Sequence, residues 1–163
     1  MGNRFIKFLS VVFFILFLDL LTKEIAEKTL EGKVITVIPN LFNLVLVWNK
    51  GMAFGMLGNA PEIVRFLALI LATLIIILIT IVYAYKNKDK LPALQFYALA
   101  MITGGALGNL YDRIFLGKVR DFLDFHISNY HWPAFNIADS SITVGVIIFV
   151  IYEIFFKNKH TTV

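Results

Sequence analysis

The stretch Phe66-Leu-Ala-Leu-Ile-Leu-Ala-Thr-Leu-Ile-Ile-Ile-Leu-Ile-Thr-Ile-Val-Tyr-Ala-Tyr85 contains no charged residue. About 20 predominantly apolar residues are what a helix needs to cross the hydrocarbon core of a bilayer, so this stretch reads as a membrane-spanning helix. Three others accompany it. Leu91 to Tyr111 is also free of charge and carries Pro92 in its first turn, where a helix tolerates proline. Ile137 to Phe156 holds Asp139 near its start and Glu153 near its end, and Phe5 to Leu21 holds Lys7 and Asp19. Charges near the ends of a span reach the interface. Arg4 and Lys7 before an apolar run also resemble a secretory signal, but this run ends in Asp19-Leu-Leu-Thr-Lys23 rather than in a small-residue cleavage site.

Composition agrees with this reading. Of 163 residues, 59% are hydrophobic against a usual value of roughly 45–50%, and the mean hydropathy is +0.80. Both a soluble globule and a disordered chain are excluded. The net charge is +4, yet Lys and Arg cluster at the ends of apolar runs instead of forming the basic patch that nucleic acid requires. No nucleic-acid partner is expected. The chain has no Cys, which removes disulfides, thiol nucleophiles and Cys-ligated metals.

Lys and Arg concentrate in cytoplasmic loops. Arg4 and Lys7, then Lys86, Lys88 and Lys90, then Lys157 and Lys159 all fall on one side of a four-helix topology. The two longer connections mix acids and bases. In the first of them, 34–39 and 41–48 are rich in β-branched and aromatic residues and are bounded by Gly32, Asn40 and Gly51, which reads as two or three short strands. The expected fold is therefore an all-α membrane protein: a four-transmembrane-helix bundle with a small β-sheet on the outer face and both termini cytoplasmic. Helices are expected at about 5–22, 63–86, 91–111 and 137–156, with the β region at about 32–58, in a single membrane-embedded domain spanning 1–163.

Polar residues gather at one depth. Asp19 lies roughly 22 Å along the first helix from Arg4 at 1.5 Å per residue, Asn109 and Arg113 end the third, Asp139 begins the fourth, and Asp121 lies between those two. Each has a bland alternative. Asp139 could cap its helix, Asp19 and Lys23 could form a plain i,i+4 ion pair, Asp112 and Arg113 could only mark a helix end, and Gly104 with Gly108 makes a small-residue packing step. His126, His131 and His160 lack metal-ligand spacing, so neither a metal nor a cofactor is expected. A serine nucleophile at Ser140 or Ser141 has no obvious activating base apart from Lys23 or Lys50. Two carboxylates in a half-desolvated pocket suit the pattern better, because a close pair cannot both ionise and can serve as acid and base. Asp121 and Asp139 are the natural pair. The competing classes are a small ion-conducting or transporting bundle and a structural membrane subunit; the single depth of the acids speaks against a track across the membrane.

Asp19-Leu-Leu-Thr22-Lys23, Trp48-Asn49-Lys-Gly51-Met-Ala53-Phe54-Gly55, Gly104-Gly105-Ala-Leu-Gly108-Asn109-Leu-Tyr-Asp112-Arg113, Val119-Arg-Asp121-Phe122 and Phe135-Asn136-Ile-Ala138-Asp139-Ser140 resemble, in order, the motifs of bacterial lipoprotein signal peptidases. The resemblance implies an intramembrane aspartic peptidase of the bacterial cytoplasmic (inner) membrane, multi-pass and monomeric, with its site near the outer leaflet. It implies cleavage of prolipoproteins just before a Cys carrying diacylglyceryl, contact with membrane lipid, and inhibition by globomycin. Asp121 and Asp139 stand in the positions of the catalytic dyad. Asp19, Lys23, Asn49, Gly51, Phe54, Gly105, Asn109, Arg113, Asn136 and Ala138 stand at supporting or substrate-binding positions. Asn49, Asn109, Arg113 and Asn136 are expected to orient the dyad and the substrate backbone; changes at Asn49, Gly51 and Phe54, on the covering connection, are expected to act more on substrate binding, and changes at Asn109 and Asn136 on the carboxylates. Two positions depart from the family's pattern: Met52, where Ala is frequent, and Arg120, where an aliphatic residue is commoner.

Overall fold

The computed structural model describes residues 2–51 and 61–156. Four helices, α1 (Gly2–Leu30), α2 (Glu62–Lys86), α3 (Ala93–Leu116) and α4 (Ile137–Phe155), alternate with four strands, β1 (Val34–Ile38), β2 (Phe42–Asn49), β3 (Val119–Ile127) and β4 (Tyr130–His131). Helix α1 outruns its expected end near residue 22, and a continuous inward stripe explains why. Phe8, Val12, Ile15, Asp19, Lys23, Ala26 and Leu30 are all buried at the three-and-four spacing of one helix face. The last turn stays helical because Ala26 and Leu30 pack on Phe122 of β3.

Helix α3 is central and touches the other three. Close backbone approach places it there. A Cβ at Gly108 would lie 2.3 Å from Asp19 Oδ2 on α1, and one at Gly105 would lie 2.4 Å from the Ala138 carbonyl oxygen on α4. Only glycine fits at either position, so the two sides of one helical turn are shaped for two different neighbours. A hydroxyl bond of 2.9 Å from Thr103 to Thr80 ties α3 to α2.

The outward faces of α1, α2 and α4 are apolar, with Phe13, Phe17, Leu71, Leu78, Ile147 and Ile154 among the exposed side chains. Water does not tolerate continuous apolar surface of this kind on a monomer; lipid does. Three helices are long and apolar enough to cross a membrane: Arg4–Leu30, Glu62–Lys86 and Ile137–Phe155. Helix α3 is built differently, with 14 of its 24 residues buried in protein and small or polar residues at its contacts.

The small sheet expected beside the helices is present and larger than the first connection alone would make it. The four strands form one antiparallel sheet in the order β1-β2-β3-β4, and the second connection, for which no strand was expected, contributes half of them. Its strand was hidden by polarity. Residues 119–127 carry Arg120, Asp121, Asp124 and His126, and both faces of β3 are covered at its start, with Val119 to Phe122 buried, so the simple apolar–polar alternation of a half-exposed strand is lost. β2 pairs Trp48 with Arg120 and Val47 with Asp121, which joins the two connections into one layer over one end of the bundle.

Candidate active site

Asp121 comes from β3 and Asp139 from the first turn of α4. The side chain that caps α4 is Asn136, whose Oδ1 accepts the Asp139 backbone N–H at 2.9 Å. That leaves the Asp139 carboxylate unused by the cap. Asn136 also donates through Nδ2 to Asp121 Oδ1 at 2.7 Å and to Asn109 Oδ1 at 3.1 Å. Asn109 in turn donates to Asp139 Oδ1 at 2.7 Å. The two carboxylates are thus joined through two neutral amides, one on α3 and one at the start of α4. Asn49, at the end of β2, donates to the second oxygen of Asp121 at 2.8 Å, and its own Oδ1 accepts the Gly51 N–H at 2.7 Å. Asn49 therefore stands among the residues that bond a carboxylate, although it lies on the connection expected to cover the site. Phe54 lies outside the described residues.

Asp121 is 1% exposed. Burial, reinforced by the negative charge of Asp139 and opposed by the Asn49 and Asn136 hydrogen bonds and by Lys23, pushes its carboxyl up to about 7. A carboxyl raised to about 7 is divided between its protonated and ionised forms at neutral pH, which suits it to give and take a proton.

A second polar group lies behind the first. Lys23 Nζ sits 2.7 Å from Asp19 Oδ2 and 3.5 Å from Asp112 Oδ2, all three side chains fully buried, and it donates to Asn109 Oδ1 at 3.0 Å. The other Asp19 oxygen accepts the Ala138 N–H at 2.8 Å, satisfying a free donor of the first turn of α4. The pair is therefore no plain surface bridge, since it ties α1 to both α3 and α4.

Asp112, which the sequence marks only as a possible helix end, accepts from Arg120 at its backbone N (3.0 Å), Nε (3.2 Å) and Nη2 (2.7 Å). Arg120 continues to Glu27 at 2.9 Å and Glu24 at 3.3 Å. Its charge is spent on this network, on the opposite face of β3 from its neighbour Asp121, as strand alternation requires. The acids Glu24, next to Lys23, and Glu27, a helical turn beyond it, were the available sign that a cation from elsewhere meets α1.

Arg113 donates to Thr73 Oγ1 of α2 at 3.3 Å, and its buried Nε has no hydrogen-bond partner among the described residues. Its charge acts on Asp139, Asp121 and Asp112. Ser140 donates to the Asn136 carbonyl at 2.9 Å, and Lys50 pairs with Glu62 at 3.1 Å on the surface, so neither forms a serine–lysine couple. Gly105 and Ala138 meet at the α3–α4 contact described above.

The profile of the family described as Signal peptidase (SPase) II matches residues 11–155. A lipoprotein signal peptidase of Sulfurihydrogenibium sp. (strain YO3AOP1) is 54% identical over 162 residues, covering 99% of each chain. Another, of Aquifex aeolicus (strain VF5), is 43% identical over 150 residues, covering 92% of this chain and 87% of the relative. A solved bacterial membrane enzyme, determined by the in meso method at 1.9 Å, superposes with a TM-score of 0.76 at 32% identity over 93% of this chain and 94% of its own. A profile that runs from α1 to the end of α4, and relatives that match over nearly the whole length, decide the matter: the chain belongs to the signal peptidase II family.

Proposed function

We infer that this multi-pass membrane protein is an aspartic endopeptidase that removes the signal peptide from prolipoproteins, cutting just before a Cys already modified with diacylglyceryl. The observation that carries the reading is the amide-linked pair Asp121 and Asp139, in which burial raises the Asp121 carboxyl to about 7.

In this reading Asp139, ionised, takes a proton from a water held between the carboxylates as that water's oxygen bonds to the scissile carbonyl carbon. Asp121 gives its proton to the carbonyl oxygen. Collapse of the gem-diol intermediate breaks the C–N bond: a hydroxyl proton returns to Asp121 as the carbonyl re-forms, and the leaving amine takes up the proton that Asp139 received, which restores both carboxyls. Asn109 and Asn136 hold the carboxylates at the separation that lets one proton serve both, and Asn49 holds Asp121 from the sheet side. Arg113, with an uncommitted N–H, is the donor for a substrate backbone carbonyl. Lys23 and Asp19 fix the outer end of α1, while Gly51 and Phe54 shape the connection that covers the substrate. Water-poor surroundings strengthen every one of these dipoles.

The same reading includes α3 as the fourth crossing helix, since 24 residues reach about 36 Å and its polar contacts are screened from lipid by its neighbours. Both termini and the Lys86–Lys90 turn then face the cytoplasm of a bacterial inner membrane, with the sheet and the dyad toward the outer leaflet. One monomeric domain, 1–163, carries the whole activity, and globomycin-type inhibitors occupy the dyad's cleft.

The test is incubation of the purified protein with a diacylglyceryl-modified prolipoprotein. Release of the signal peptide, with none from the unmodified precursor, is the expected result; equal cleavage of both would remove the lipid from the specificity. Orientation is checked with a Cys placed at Lys88, which an impermeant reagent added outside intact cells should leave unlabelled.

A further inference from the structure

The three-stranded end of the sheet gathers a second cluster, away from the carboxylate pair. Register brings it together. β3 and β4 place His126 opposite His131, and β2 and β3 place Asn43 opposite Asp124. Asp124 and His126, two apart on one strand, share a face. Donor atoms of Asp124, His126 and His131 all lie within 4.8 Å of one another. His131 Nδ1 is 2.8 and 3.1 Å from the two Asp124 oxygens, and His126 Nδ1 is 3.8 Å from Oδ2. Asn43 Nδ2 donates to Oδ2 at 3.1 Å and lies 3.5 Å from His126 Nδ1.

Charge balance is what singles this cluster out. Asp124 is 7% exposed, and among the described residues its only ion-pair partners are the two imidazoles. A buried carboxylate needs a cation. The imidazoles stack nearly parallel with centroids 4.7 Å apart, an arrangement that two imidazolium rings would oppose by like-charge repulsion. A divalent cation bound by two neutral rings and one carboxylate resolves both demands.

We propose that Asp124, His126 and His131 form a binding site for a divalent transition cation of the Zn2+ type, which staples β3 to β4. Two imidazole nitrogens and one carboxylate favour Zn2+-like ions over Mg2+ or Ca2+, which prefer oxygen. Asn43 fixes the carboxylate's orientation, as partners of metal ligands commonly do. The cleft beside the cluster, lined by Asn43, Asp124, His131 and Trp132, has a volume of about 590 Å³, which leaves room for water to complete a tetrahedral shell of three protein ligands and one solvent ligand. His131, now the hydrogen-bond donor to Asp124 through Nδ1, takes the ion on that nitrogen and keeps its proton on Nε2. The linear spacing of the histidines hides this site, because the pairing of β3 with β4 is what sets His126 beside His131 and both beside Asp124. The expectation of no metal-ligand arrangement gives way to the register.

The test uses the full-length protein in detergent micelles, with a purification tag that lacks histidine and after removal of metals by a chelator. Titration with Zn2+ in a calorimeter should give one ion per chain. His126→Gln and His131→Gln should each weaken binding by at least about tenfold, and together abolish it, while His160→Gln leaves it unchanged. No saturable binding, binding that survives the double substitution, or binding lost with His160→Gln overturns the site. Should either glutamine variant disturb the sheet, 15N-histidine NMR of the His160→Gln protein decides: both remaining imidazoles shift on adding Zn2+, and a shift of one or neither overturns the proposal.

Discussion

Two pairs of carboxylates lie within one polar layer of this protein, with Asp19, Asp112 and Asp121 buried and Asp139 half-buried, and they are held in opposite ways. Asp19 and Asp112 share Lys23, and Asp112 is gripped in addition by Arg120. Asp121 and Asp139 have amides as their hydrogen-bond partners: Asn49 and Asn136 for the first, Asn109 for the second. A shared cation at 2.7 Å fixes the elements that carry the groups it joins, so the first pair is a clamp between α1, α3 and β3. A neutral amide orients a carboxylate and favours its ionised form without supplying a counter-charge, so burial still raises Asp121. Asn109 joins the two, with Oδ1 on Lys23 and Nδ2 on Asp139. The same residue type, at the same depth, is structural or reactive according to whether its neighbour carries a full charge.

The sharpest way to break this contrast is at the reactive pair. Asp121→Asn and Asp139→Asn should each lower the rate of signal-peptide release by on the order of 10²–10⁴-fold while the protein stays folded, because an amide keeps the shape but cannot share the proton. Substantial turnover by either variant would take that residue out of the chemistry.

The clamp should respond in the other coin. Lys23→Met strands Asp19 and Asp112 without their shared cation, and breaking a buried pair costs about 3–5 kcal/mol. Thermal or denaturant unfolding in detergent should show that loss. A Lys23→Met protein as stable as the parent but inactive would move Lys23 from the clamp into the reaction.

Next in size are the amides. Losing a hydrogen bond to a charged group costs about 1.5–3 kcal/mol, so Asn136→Ala and Asn49→Ala should each lower kcat by about 10–100-fold with little change in KM. In the parent, kcat/KM should fall with rising pH around a midpoint near 7, as Asp121 gives up its proton. Both amide bonds favour the ionised form and hold the carboxyl down, so removing either should move that midpoint to higher pH. If Asn49→Ala instead raises KM alone and leaves the pH profile in place, Asn49 serves the substrate and not the carboxylate.

The smallest effect is on stability. Asp121 binds its proton more tightly in the folded protein, at about 7, than in the unfolded chain, near 4. Its favourable contribution is complete below about pH 4 and is lost as pH rises toward 7. Asparagine undergoes no such loss. The melting temperature of Asp121→Asn should match the parent's at pH 4 and exceed it by a few degrees at pH 8; a parent that is the more stable of the two at pH 8 would mean that Asp121 is ionised at no cost.

The apolar runs, the charge asymmetry of the turns and the ordered motifs were legible from one dimension because each is a local property. A span is recognised by its own length and hydropathy, and a motif by its own spacing. Strand β3 was not legible, since its polar residues are buried by partners 80 to 100 positions away, Asn43 and Glu24 among them. Arg120 looked like a disturbance beside Asp121, and became part of the clamp only once strand alternation turned it to the other face.

What the amino-acid sequence determined by itself is a membrane protein of apolar helices, its family, and the residue types from which its site is made. Tertiary structure alone decided which acids meet a cation and which meet an amide, that Asn136 and not Asp139 caps α4, and that His126 and His131 stand together. The physical reason is that burial and pairing set the state of an ionisable group, and both depend on contacts between segments far apart in the chain.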